Sequence, residues 1–280
     1  MIADDIDAGF TIETSGKVKG GIYMAVYQGG ASIDENGRAT GGKAGNQKEE
    51  LRIRKWYIHS KQWVILRAKD AKVRRLIAEA MRAAVANKKI GYDQNQRTTL
   101  YNYVKQFNFD PSRADIPVET DCSALVRVCV MYAFRKCGIL TEVSNFRTVN
   151  QRAALMVTGR FVALDTKEYT SNTRGDYLLE GDIAVTRTQG HTVVVLNDGA
   201  KASSGAQADK PVLSKGDTGA AVKEMQRALM TWSGFALPKY GMDGDFGGET
   251  RDWVKKFQRE KKITVDGVVG PQTWSKLGAI

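Results

Sequence analysis

The chain has 280 residues, 42% of them hydrophobic and only five of them proline, the make-up of a globular protein with room for one large domain or two modest ones. Lys and Arg number 42 against 31 Asp and Glu, and the resulting formal charge of +11 favours nucleic acid, acidic lipid or acidic wall polymer as partner without choosing among them. Three Cys without paired spacing argue against a disulfide framework, two His and no Cys-x-x-Cys leave little for a metal site, and no apolar run reaches the roughly 18 residues of a membrane span.

The opening segment MIADDIDAGF has acids where a secretory signal carries Lys or Arg, so synthesis as a soluble protein without an export signal is expected. Residues 8 to 67 alternate short apolar and polar stretches with Gly pairs, which predicts a small sheet. Asp70 is an N-cap for a helix over about 71 to 88. Its apolar face is Val73, Leu76, Ile77, Ala80, Met81 and Ala84, and Lys72, Arg74, Arg75 and Arg82 are expected outside. From Cys122 the run SALVRVCVMYAFRKCG is apolar almost all round until Gly138 stops it, the pattern of a buried helix. EGDIAVTRTQGHTVVVLNDG then reads as two strands joined by a turn, with His191 at the entry of the second.

GAKASSGAQADKPV, residues 199 to 212, is poor in large apolar groups and reads as a flexible linker. Three short helical segments joined by Gly-rich turns follow, giving domains at 1–200 and 213–280 with a linker at 201–212. MDGDFGGETRDWVKKFQ and TVDGVVGPQTWSKL echo each other; Asp243, Gly244, Asp266 and Gly267 are expected simply to make turns and cap helices.

A thiol at the first turn of a helix meets unpaired N–H groups and the positive dipole end, which favour the thiolate. Cys122, after Asp121, sits at such a start, whereas Cys129 lies inside the helix among Val128, Val130 and Met131 as an inert core thiol. His191 is the candidate base, and His59 in KWYIHSKQW is expected to be a solvated imidazole in a turn. Asn197, six residues beyond His191 and roughly 20 Å along a strand, is a poor orienter for it.

The order IGYDQ, DCSALV, EGDIAV, GHTVVVL resembles the NlpC-type cell-wall cysteine peptidases and the related CHAP amidase/peptidases over about residues 70 to 199. That resemblance implies an α+β, papain-like domain with a helix packed on an antiparallel sheet. It makes Cys122 the nucleophile and His191 the base, has Tyr92 and Asp121 at the oxyanion or substrate, and needs no metal or cofactor. The strand that usually supplies the residue orienting the His is replaced here by the linker. Gln47 and Glu50, in a segment resembling phage lysins, are the substitutes considered.

Residues 213 to 277 resemble the three-helix peptidoglycan-binding domain, through LSKGDTGAAVKEMQRAL, DGDFGGET, VKKFQ and VDGVVGPQTW. Leu229, Phe246, Val254, Phe257, Val265 and Leu277 are its expected core, and Trp232, Tyr240 and Trp253 are candidates for stacking on sugar. Together these resemblances imply a phage-type endolysin acting on bacterial peptidoglycan, with anionic wall polymers as possible further partners and neither nucleic acid nor stable membrane insertion. It would stay in the host cytoplasm until lysis and then reach the wall. A stem-peptide endopeptidase is the first expectation; an N-acetylmuramoyl-L-alanine amidase and a non-catalytic wall-binding or virion protein are the alternatives.

Overall fold

The structure, a computed structural model, describes residues 16–18, 21–23, 25–188, 190–200, 202, 210–233, 237 and 239–277. The first residues of the predicted N-terminal sheet (8 to 15) and most of the predicted linker (203 to 209) lie outside them. Short strands β1 (Gly16–Val18) and β2 (Gly21–Tyr23) pair antiparallel with each other. The main sheet is built from β3 (Tyr27–Ala31), β4 (Leu51–Lys55), β5 (Trp63–Ala68), β8 (Phe161–Leu164), β9 (Ile183–Thr186) and β10 (Thr192–Val195). Its order is β4-β3-β10-β9-β5-β8, antiparallel throughout. The N-terminal strands are therefore part of this sheet: β3 lies against β10, in the place of the strand missing from the sequence after His191.

Helices α1 (Ala71–Ala86) and α3 (Cys122–Lys136) pack on one face of the sheet; α2 (Thr99–Val104) lies between them in the chain. Val73, Ile77, Met81 and Ala84 of α1 are fully or almost fully buried with Leu66, Val194 and the apolar residues of α3, as the 3.6-residue spacing requires. Asp70 caps α1 by accepting from Val73 N at 3.0 Å, and the helix ends at Ala86 because Asn87 is extended. Arg74 corrects the expected outer face. It is 4% exposed, its guanidinium donates to the carbonyls of Ala68 and Lys69, and burial brings its pKa down to about 10. The other face of the sheet carries Trp56, Trp63, Ile65, Val193, Val195 and Tyr169, the last from α5 (Lys167–Thr170). The short helix α4 (Gln151–Met156) precedes β8.

Helices α6 (Ala220–Ser233), α7 (Gly248–Glu260) and α8 (Pro271–Leu277) form the C-terminal unit. Its sequence echo is a repeated hydrogen-bond bracket. Gln226 is fully buried; its amide donates to Asp243 Oδ1 (2.8 Å) and Asp245 O (3.0 Å) and accepts from Gly244 N (2.9 Å). Gln258 does the same with Asp266 Oδ1 (2.8 Å), Val268 O (2.9 Å) and Gly267 N (2.9 Å). Gly244 and Gly267 have φ of +82° and +75°, a region a side chain seldom occupies, so each bracket needs its Gly as well as its Asp. Leu229, Phe246, Val254, Phe257 and Leu277 are buried as expected, but Val265 is 39% exposed and Val269 and Trp274 fill the core instead. Trp232 and Trp253 meet edge to face at the core margin, and only Tyr240 of the three candidate sugar-stacking rings is openly exposed. Val212, at the end of the predicted linker, is buried and donates to Lys69 O at 2.8 Å, and Lys69 pairs with Asp217.

Candidate active site

The chain enters α3 from β7 (Val118–Thr120), which runs parallel to β6 (Ile90–Tyr92). Asp121 is the N-cap: Oδ1 accepts from Ala124 N (2.6 Å) and Ser123 Oγ (2.8 Å), while Oδ2 is paired with Arg97. Arg97 also donates to Ser123 Oγ, Asn145 Oδ1 and Phe146 O, so cap and guanidinium neutralise each other in a buried network. Asp121 is thus occupied in holding the helix start rather than facing open space.

Cys122 follows as the first residue of α3 and is 6% exposed. Burial, and secondarily the Asp121 carboxylate, push its thiol pKa up to about 12; the backbone N–H groups of Thr192 and Ser123 oppose the rise. The thiol therefore lies against the backbone just after His191. Thr192 is itself clamped, its hydroxyl donating to Ala184 O and accepting from Gln151 Nε2, both at 2.9 Å. Sequence reasoning passed over this buried Thr192–Gln151 pair.

His191 is fixed by its backbone, which exchanges hydrogen bonds with Thr186 N and Oγ1. Its ring centroid lies 6.2 Å from those of both Trp63 and His59. Burial, then His59, then Arg54 lower its pKa to about 4. The imidazole lines a cavity of about 290 Å³ with His59, Tyr92, Gln94, Arg52 and Arg54. His59 departs from expectation: it is half-buried, its ring centroid 5.3 Å from that of Trp63, so the two His of the chain are neighbours at one site. Both arise because His59 and Trp63 flank the turn into β5, whose partner β9 leads to the turn before His191.

Cys122 and His191 thus reach the same end of the sheet without sharing the cavity: the thiol lies against the Thr192 backbone on the α3 side and does not line it, whereas the imidazole does. Tyr92 joins them: it lines the cavity, its hydroxyl accepts from Gln94 Nε2 at 3.0 Å, and its pKa is raised to about 12 by burial and then by the nearby Cys122. Gln47 and Glu50 are not brought in. Glu50 accepts from Gln47 N (2.9 Å) and Tyr92 N (2.7 Å), Gln47 Nε2 donates to Ala44 O and Gly45 O, and neither lines the cavity. Their work is to tie the loop before β4 to β6. Glu119 beside them is 3% exposed, accepts from Gly45 N at 2.7 Å, and has its pKa raised to about 7 by burial. Among the described residues no group of three or more His, Cys, Asp or Glu could hold a metal ion, and no helix is long and apolar enough to cross a membrane.

Comparison with known proteins identifies two regions. Residues 29–202 match the family described as endolysin-like domain, and residues 218–277 match the peptidoglycan binding domain. A curated relative, the N-acetylmuramoyl-L-alanine amidase CwlL of Bacillus licheniformis, is 46% identical over 69 residues, 25% of this chain and 19% of its own length. The zinc D-Ala-D-Ala carboxypeptidase of Streptomyces albus G is 34% identical over 65 residues, 23% of this chain and 25% of its own. The chain thus spans a quarter or less of these relatives' lengths. A solved peptidoglycan-binding protein from Clostridioides difficile, in complex with glutamine hydroxamate, is 27% identical over 35% of this chain and 49% of that one, with a TM-score of 0.21.

Proposed function

We propose, from the premise that the chain belongs to the endolysin-like domain family, that it is a peptidoglycan hydrolase whose C-terminal unit holds it on the wall. The observation that carries the catalytic part of this reading is the Cys122 thiol at the start of α3, lying against the backbone that follows His191, whose ring lines the cavity. In the proposed reaction the His191 ring, neutral at physiological pH, turns from the cavity to the thiol at the end of the sheet and takes its proton as Cys122 attacks an amide carbonyl. The backbone N–H of Cys122 and the Tyr92 hydroxyl stabilise the oxyanion, His191 returns the proton to the departing amine, and water hydrolyses the thioester. A module that keeps the enzyme on its polymer raises the local substrate concentration without any new catalytic contact.

Two bonds suit this chemistry equally. The printed name of the Bacillus licheniformis relative favours the amide joining muramic acid to L-Ala over one within the stem peptide. That relative matches over a stretch of 69 residues, close in length to the C-terminal unit, so a stem-peptide endopeptidase is the second reading. Mass spectrometry of fragments released from purified peptidoglycan by the wild type and by Cys122→Ala tests both. A new L-Ala amine end made only by the wild type supports the amidase, and an amine end further along the peptide supports the endopeptidase. Release of nothing across several wall chemistries, with binding retained, would leave a wall-binding protein.

A further inference from the structure

The cavity beside His191 has a cationic wall that the proposed chemistry does not use. Arg52 and Arg54 are two apart on β4, so both project from the face opposite α1, roughly 7 Å apart along the strand. In register, Arg52 stands across from Gly30 and Arg54 across from Gln28 on β3, and β3 lies against β10. Val193 is beside Gly30, so Arg52, Gly30 and Val193 form one row, and His191 stands two residues before Val193, just ahead of β10. Gly30 keeps the row open: a Cβ there would lie 3.1 Å from Val193 Cγ1 and fill the floor between Arg52 and His191.

Neither guanidinium makes an ion pair among the described residues, and Arg52 Nε is buried without a hydrogen-bond partner. Among the described residues no Asp or Glu lines the cavity; Glu49, whose charge acts on Arg52, is exposed on the preceding loop. Burial and the Arg54 charge both lower the Arg52 pKa, so the pair repel each other in a partly desolvated place and an anion between them relieves both costs.

We propose that Arg52 and Arg54 form a carboxylate subsite that receives the free carboxylate of a stem-peptide residue adjoining the bond to be cut. This rests on the hydrolase reading. It follows from place as well as charge: the subsite shares its cavity with His191 and with Tyr92, which lies near Cys122, so an anion held there fits the molecule being cut, and in peptidoglycan the peptide bears carboxylates beside its amides. The arginines set which peptide is accepted, and converting that carboxylate to its primary amide removes the bidentate partner.

The test measures binding to the full chain carrying Cys122→Ala, by calorimetry, of two synthetic muramoyl peptides that differ only in that carboxylate or its primary amide. The acid is expected to bind at least 10-fold more tightly. In Arg52→Gln/Arg54→Gln the ratio of the two affinities should fall to near one, with the circular dichroism spectrum unchanged. Arg54→Gln alone, at an exposed position, serves if the double variant does not fold. Equal binding of the two peptides, or binding of neither, overturns the subsite. Inorganic phosphate displacing the acid far better than acetate does, in an arginine-dependent way, overturns it in favour of a phosphate-bearing wall polymer. Cleavage by the wild type is scored separately: preference without cleavage keeps the subsite and sinks the hydrolase, and cleavage without preference does the reverse.

Discussion

At pH 7 Cys122 of the free protein should react with iodoacetamide about 30 to 60 times more slowly than an unperturbed thiol. The magnitude follows from its surroundings. Burial and the Asp121 carboxylate move the thiol from 9.0 to about 12, which cuts the thiolate fraction about 10³-fold. A thiolate of higher pKa is intrinsically more nucleophilic, and a Brønsted slope of about 0.4–0.5 returns roughly 16- to 32-fold of that loss. At 6% exposure, poor access slows the reaction further. The assay is peptide mass spectrometry after timed alkylation from pH 6 to 10, with half-buried Cys137 as internal reference and fully buried Cys129 as the silent one. Cys122 should label more slowly than Cys137 and show no plateau below pH 10. Labelling of Cys122 ahead of Cys137 at pH 7, with a plateau below pH 8, would refute the reasoning. It would mean a preformed thiolate–imidazolium pair instead of a neutral pair whose proton moves only when substrate is attacked.

Two pKa shifts oppose each other in stability. His191 is depressed from 6.5 to about 4, so its contribution is present above pH 6.5 and is lost as pH falls towards 4; Glu119 is raised from 4.5 to about 7, so its contribution is present below pH 4.5 and is lost as pH rises through 7. Each slope is at most about 1.4 kcal/mol per pH unit, so wild-type stability should change little from these groups between pH 4.5 and 6.5. Denaturant titrations should then show His191→Gln losing stability as pH rises and Glu119→Gln gaining it; identical pH profiles for the two variants would contradict the assignments. Because His191 must be neutral to act as base, kcat/KM should hold down to about pH 5 and fall near pH 4, and a midpoint near 6.5 would count against the burial of the ring. Gln226→Leu leaves the Gly244 N–H and the Asp243 carboxylate without their bracket and should cost the C-terminal unit about 1–3 kcal/mol, as should Gln258→Leu in the second bracket; an unchanged melting curve would make the brackets incidental. A chain starting near residue 57 loses β3 and β4 and exposes the edge of β10, so it should not yield a soluble folded domain, whereas a stable active fragment would separate the N-terminal strands from the catalytic sheet.

The local sequence determined most elements. Asp70 capped the helix expected from it, the 3.6-residue spacing chose the buried face of α1, and the Cys–His order drew attention to the end of the sheet where both residues lie, whereas Asp121, expected at the oxyanion or substrate, is the cap of α3. The Asp-Gly echoes were visible as turns, yet their meaning depended on Gln226 and Gln258, which reach forward across 17 and 8 residues to Asp243 and Asp266. Only the tertiary structure decided the rest. Strand pairing joins residues that sequence separation hides: β3 completes the sheet beside β10, His59 comes to His191 across the β5–β9 pair, and Arg52 and Arg54 turn from ordinary surface cations into a cavity wall. Gln47 and Glu50 show the converse. Their residue types suit catalysis, but the buried backbone N–H of Tyr92, with that of Gln47, claimed the Glu50 carboxylate, because an unpaired amide in the interior costs more than a polar side chain gains by facing the cavity.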